Sequence, residues 1–141
     1  NIKIWQEERM RAQDMILKNI DFRAQGYDID PNCVELTLAN TKKAGVEKYV
    51  KAAIGDIRHF SAPNERCITV TNPPYGERLL DVKEAEKLYK IMGEQFVSGD
   101  GQKYYVISPH DEFEKHYGKE ADKRRKLYNG MIKCQLFMYF K

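Results

Sequence analysis

Asn72-Pro73-Pro74-Tyr75 is the stretch of this chain whose residue types and spacing best suit a reaction. Two successive prolines fix their own φ near −65° and bias the preceding residue toward extended backbone, so the Asn72 amide and the neighbouring carbonyls are rigidly aimed. An exocyclic amine of a nucleic-acid base is a poor nucleophile, because its lone pair is delocalised into the ring. It gains reactivity when its two N–H groups are held by acceptors out of the ring plane. The Asn72 amide oxygen and the Pro73 carbonyl can be those acceptors. Tyr75 adds a π face on which an extruded base can stack, worth roughly 1–3 kcal/mol. A sulfonium methyl donor needs no strong base, since the proton can leave after transfer. The bland alternative is a proline-stiffened turn carrying a surface tyrosine.

Two carboxylates occupy similar positions. Asp28 ends an extended segment and can accept both ribose hydroxyls of a nucleoside cofactor, since a carboxylate offers two oxygens in one plane. Equally, it can belong with Asp30 to a helix-capping cluster. Asp56 precedes Ile57, a pairing that can accept from an adenine amino group and cover the ring with an apolar side chain; an ordinary Gly-Asp turn is its alternative. Lys119, Lys123, Arg124, Arg125 and Lys126 form a basic cluster that either meets RNA phosphates or is a solvated helix end. His59, His110 and His116 have no ligand-like spacing, and the three widely separated cysteines contain no CxxC pair, so the sequence assigns no metal site.

Side chains aimed in this way need strand ends to carry them. Apolar residues at helical spacing predict a helix over residues 4–20, a strand over 22–29, and a helix over 31–44 with Asp30 as N-cap, Pro31 at its first position and Gly45 as its stop. A strand follows over 49–55, then a β-branched run over 67–71, a helix over 83–96, a strand over 103–108 and a short helix over 111–117 stopped at Gly118. Asn129-Gly130 predicts a hairpin between strands over 126–128 and 132–140. Met131, Phe137, Met138, Tyr139 and Phe140 are expected in its core. This order predicts an α/β fold, a mostly parallel sheet covered on both faces with an antiparallel C-terminal hairpin. In such sheets ligands bind beyond the carboxyl ends of the strands, where Asp28, Asp56 and Asn72–Tyr75 all fall.

At 141 residues and 42% hydrophobic, the chain suits one domain. A net charge of +3 is too small to announce a nucleic-acid partner by itself. No apolar run reaches the roughly 18–20 residues of a membrane span, and a reducing cytoplasm suits the cysteines.

Taken together, Asp28-Ile29-Asp30-Pro31 with Asn40 and Gly45, Gly55-Asp56-Ile57, Thr71 through Leu79, and Arg125-Lys126-Leu127-Tyr128-Asn129-Gly130 with Cys134-Gln135-Leu136 resemble the bacterial large-subunit ribosomal RNA guanine-N2 methyltransferases. The Asn-Pro-Pro-Tyr core alone is shared with N6-adenine DNA and glutamine methyltransferases. Gly76-Glu77-Arg78 and the Lys-Leu-Tyr-Asn-Gly segment narrow the likeness to the RNA family. The resemblance implies a Rossmann-like class I fold and S-adenosylmethionine, with Asp28 and Ile29 at its ribose, Asp56 and Ile57 at its adenine, and Asn72 beside both cofactor and base. It implies catalysis by Asn72, Pro73, Pro74 and Tyr75, and ribosomal RNA contacts from Tyr75, Arg78, Arg124 and Arg125. Two alternatives stay open: N6-adenine methylation of DNA or RNA, and a non-catalytic RNA-binding module of the same fold. The family's glycine-rich cofactor loop and its THUMP domain have no counterpart here. The expectation is therefore a single, partial methyltransferase domain lacking its first strand, not competent alone, in which residues 22–28 and 67–71 do not pair directly.

Overall fold

The computed structural model describes residues 2–17, 20–63, 66–75, 81–97, 99 and 101–141. Residues 1–54 and 55–141 form two compact units.

In the first unit, helix α1 (Ile2–Asp14) precedes strand β1 (Ala24–Asp28), helix α2 (Pro31–Lys43) and strand β2 (Val50–Ile54). β1 and β2 are parallel, in register from Ala24 opposite Val50 to Asp28 opposite Ile54. The start of α2 follows from its sequence. The Asp30 carboxylate accepts from the Asn32 N–H at 2.8 Å, and Pro31 fills the first turn, where no N–H is needed. Gly45, at φ 69°, ends it as expected. α1 stops at Asp14, short of the expected residue 20, and Ile16 and Leu17 lie beyond it. None of its side chains is buried.

The second unit opens on a 3-10 turn (Ile57–His59) and continues through β3 (Cys67–Thr71), α3 (Val82–Gln95), β4 (Gln102–Ser108), α4 (Phe113–Tyr117), β5 (Lys123–Asn129) and β6 (Ile132–Tyr139). Its sheet has the order β3-β4-β6-β5, with β3 parallel to β4 and the last two strands antiparallel. Asn129-Gly130 makes the expected hairpin, with Gly130 at φ 60°. In the ladders described, β1 pairs with β2 and β3 with β4. No described helix is long and apolar enough to cross a membrane.

The core of this unit comes from one face of α3. Ala85, Tyr89, Met92 and Phe96 recur every three or four residues and pack against Tyr104 and Val106 of β4, Phe113 and Tyr117 of α4, and Phe137 and Tyr139 of β6. Burial alternates over the last three residues of β6, so Phe137 and Tyr139 are core while Met138 is half-buried; Cys134 is buried as well. Met131 and Phe140, expected in that core, are exposed: Met131 sits on the hairpin turn, and Phe140 follows the last strand residue.

Candidate functional site

Residues 72–75 leave the end of β3, a strand whose run of Cys67, Ile68, Thr69 and Val70 suits a pleated, half-buried surface. Asn72 is exposed, Pro73 buried, and Pro74 and Tyr75 half-buried. The loop is tied from below. Tyr89, fully buried on α3, donates its hydroxyl to the Pro74 carbonyl at 3.3 Å. Ser108, fully buried at the end of β4, lies near that same hydroxyl, and its Oγ accepts from the His110 N–H at 3.1 Å. Burial pushes the Tyr89 pKa up, outweighing the downward pull of Ser108, so the phenol stays protonated and remains a donor.

The Tyr89 bond sorts the acceptors at the loop. The Pro74 carbonyl is taken, whereas among the described residues neither the Asn72 side chain nor the Pro73 carbonyl has a hydrogen-bond partner. Those two are the acceptors expected to hold an amine.

Tyr75 has a role that its sequence context did not suggest. Its hydroxyl accepts from the Asn129 side-chain amide at 2.8 Å, tying the loop to the tip of the β5–β6 hairpin. Loss of that bond in Tyr75→Phe is expected to cost about 0.5–1.5 kcal/mol, a roughly two- to tenfold fall in kcat/KM. Asn129→Ala should match it and add little to it in the double variant. Tyr75→Ala removes the stacking face as well, a further ~1–3 kcal/mol. Equal losses in the two Tyr75 variants, measured by steady-state methyl transfer, would show that the ring face is not used.

The carboxylates are more engaged than expected. Asp28 is exposed, and one of its oxygens accepts from the Asp30 N–H at 2.9 Å, so it does belong to the turn that leads into α2. Its other oxygen has no partner among the described residues. Ile29 next to it is exposed. Asp56 caps the 3-10 turn, accepting from the Arg58 N–H at 2.8 Å on one oxygen and from the Arg58 guanidinium on the other. Those bonds hold its pKa at about 2, so the carboxylate is charged at any ordinary pH. A ligand amino group would have to compete with Arg58 for it. Ile57 is half-buried against the core of the second unit.

Four of the basic cluster, Lys123, Arg124, Arg125 and Lys126, lie on the exposed strand β5, whereas Lys119 follows the end of α4. Arg124 within it is committed to Glu114, with Nε 3.1 Å from a carboxylate oxygen, and lies 5.9 Å from the Phe137 ring centroid. Arg125 is exposed. Arg78, with Gly76, Glu77 and Leu79, lies outside the described residues. His110 and His116, six positions apart and without ligand-like spacing, converge in the folded chain on Glu86 of α3.

Sequence reasoning missed Tyr89 and Ser108. Neither carries a local signal, and only tertiary packing brings Tyr89 onto the loop.

Residues 2–137 match the family described as UPF0020: RMKL-like, methyltransferase domain. Among curated proteins, Ribosomal RNA large subunit methyltransferase K/L of Shewanella baltica is 32% identical over 140 residues, covering 96% of this chain and 20% of its own. Among solved structures, a possible methylase from Clostridium difficile 630 is 39% identical with a TM-score of 0.88, over 99% of this chain and 37% of its own. SMU.472, solved in complex with SAH, is 33% identical with a TM-score of 0.87, over 96% of this chain and 36% of its own. The chain therefore spans about a fifth of that curated relative and just over a third of the two solved ones. These likenesses carry the class I methyltransferase fold, α/β with antiparallel C-terminal strands, and by its match over nearly its whole length the chain belongs to the RMKL-like methyltransferase domain family.

Proposed function

We propose that the protein carrying this chain methylates the exocyclic N2 amine of a guanine in large-subunit ribosomal RNA, using S-adenosylmethionine. One observation carries the reading: at the end of β3 the Asn72 amide and the Pro73 carbonyl have no partner among the described residues, while the adjacent Pro74 carbonyl is held by buried Tyr89. Two fixed, unoccupied acceptors are what a delocalised amine needs in order to present its lone pair. Names support the RNA substrate, since the curated relative is a large-subunit ribosomal RNA enzyme and one solved relative was crystallised with SAH.

S-adenosylmethionine supplies a methyl group already activated by a sulfonium, so the protein's share is positioning. Asn72 and Pro73 accept the two amine protons. Tyr75 offers its ring to the base. Asp28 fits the ribose through the oxygen not used by Asp30, and Ile29 and Ile57 offer apolar cover for the nucleoside. Asp56 meets the adenine only if Arg58 swings away. Arg125, and Arg78 with it, are the candidates for RNA phosphates, whereas Arg124 is occupied by Glu114. The glycine-rich loop and the strand before it are contributed by residues outside these 141 in this reading.

Mass spectrometry of nucleosides from ribosomal RNA of a deletion strain and its complement tests the proposal. One N2-methylguanine is expected to vanish and return. Loss of N6-methyladenine instead would assign the adenine reaction, and an unchanged profile would leave an RNA-binding module without chemistry.

A further inference from the structure

Glu86, His110 and His116 come from three different elements of the second unit: the core-facing helix α3, the loop after β4, and the short helix α4. Their side chains are 28%, 16% and 23% exposed, so the cluster is mostly withdrawn from water yet open on one side. Glu86 Oε1 stands 3.5 Å from His110 Nε2 and 3.3 Å from His116 Nε2, and all three ligand-capable atoms lie within 4.8 Å of one another. The His110 and His116 rings are nearly perpendicular, with centroids 5.4 Å apart.

These distances match a particular kind of object. A tetrahedral zinc ion with bonds of about 2.0–2.1 Å separates its ligand atoms by about 3.3–3.4 Å. The separations of 3.3 and 3.5 Å are within about 0.2 Å of that length. A second observation is independent of spacing: His116 Nε2 is shielded from solvent and makes no hydrogen bond among the described residues, although the Glu86 carboxylate is beside it. A buried imidazole nitrogen is ordinarily satisfied, and one left open toward a carboxylate and a second imidazole is arranged as a ligand.

The geometry points to a divalent transition-metal site, with zinc the best match, held by Glu86 Oε1, His110 Nε2 and His116 Nε2, with its fourth position open to the solvent side. Two imidazoles and one carboxylate form a borderline donor set that suits zinc and disfavours the all-oxygen ions magnesium and calcium. Binding has a local consequence at His110. His110 Nδ1 accepts from the Glu112 N–H at 3.2 Å, and coordination through Nε2 would take the tautomer protonated at Nδ1, so that contact would open. The ion would brace α3, the loop after β4 and α4 together, two residues from Ser108 and one helical turn from Tyr89. It would thus act on the support of residues 72–75 without touching them. None of this depends on the methylation reading.

The test is titration of the chelator-stripped whole protein with zinc ion, followed calorimetrically, with thermal melts with and without metal and X-ray absorption at the zinc edge. Saturable binding near one ion per chain, a coordination shell of nitrogen and oxygen without sulfur, and a raised Tm are expected. Glu86→Gln and His116→Gln, both close in size, should each weaken binding by more than the ~10–100-fold that loss of a mere supporting partner costs a metal site. Metal-free melts of the two variants check that they fold. Absence of saturable binding would overturn the proposal, as would a sulfur-containing shell that placed the ion on Cys33 or Cys67. Unchanged affinity in both folded variants would overturn it equally.

Discussion

Asn72→Ala is expected to lower the methyl-transfer rate by roughly 10²–10³-fold while leaving cofactor affinity nearly unchanged. The side chain is exposed at the end of β3 and has no partner among the described residues, so its removal opens no cavity and orphans no buried group. In the proposed mechanism, what is lost is one of two acceptors that turn the amine lone pair out of conjugation, an interaction strongest at the transition state. Such losses appear in kcat, because the ground state of a stacked base is held by its ring. Single-turnover kinetics beside calorimetric titration of the cofactor separates the effects. Near-normal turnover would remove Asn72 from the mechanism, and a matching loss of cofactor affinity would place it at the cofactor.

Gly93→Ala is expected to destabilise the second unit by at least about 2 kcal/mol, although alanine is the better helix former by about 1 kcal/mol. A Cβ on Gly93 would lie 1.8 Å from the Tyr117 carbonyl oxygen and 2.9 Å from its carbon, both backbone atoms that cannot rotate away. α3 and α4 would have to separate. Tyr117 stacks on Phe113 and Tyr139, so the displacement would spread through the aromatic core beneath the sheet. Chemical denaturation at equilibrium measures the change. A stabilised variant would mean that α4 yields freely, and that the close approach of the two helices is not required.

Why some elements were legible and others not follows from where their determinants lie. β3 was read to the residue, because a β-branched run bounded by turn residues is a local signal. α3 was read within a residue at each end, since its apolar period coincides with the face it buries. β5 begins three residues earlier than its sequence suggested. Its Lys123, Arg124 and Arg125 carry no alternating apolar pattern and are extended because β6 offers them a ladder. The 3-10 turn at Ile57–His59 went unread because it hangs on a single capping carboxylate. In the candidate site the same division holds. The acceptors at Asn72 and Pro73 are set by two adjacent prolines, whereas Tyr89 meets Pro74 across fifteen residues of chain, and nothing local at either position announces the meeting.

The tie between Tyr89 and Pro74 also bears on when the order of the loop is acquired. A flexible segment that must form a reactive arrangement on meeting its ligand gives up roughly 1–2 kcal/mol of backbone entropy per residue at that moment. Residues 72–74 have two φ angles fixed by covalent rings and one carbonyl held from inside the core, so most of that loss belongs to folding. Free energy gained on contact with a base is then left for distinguishing one base from another. If the loop receives a base as proposed, discrimination there rests on fit to a surface already in place.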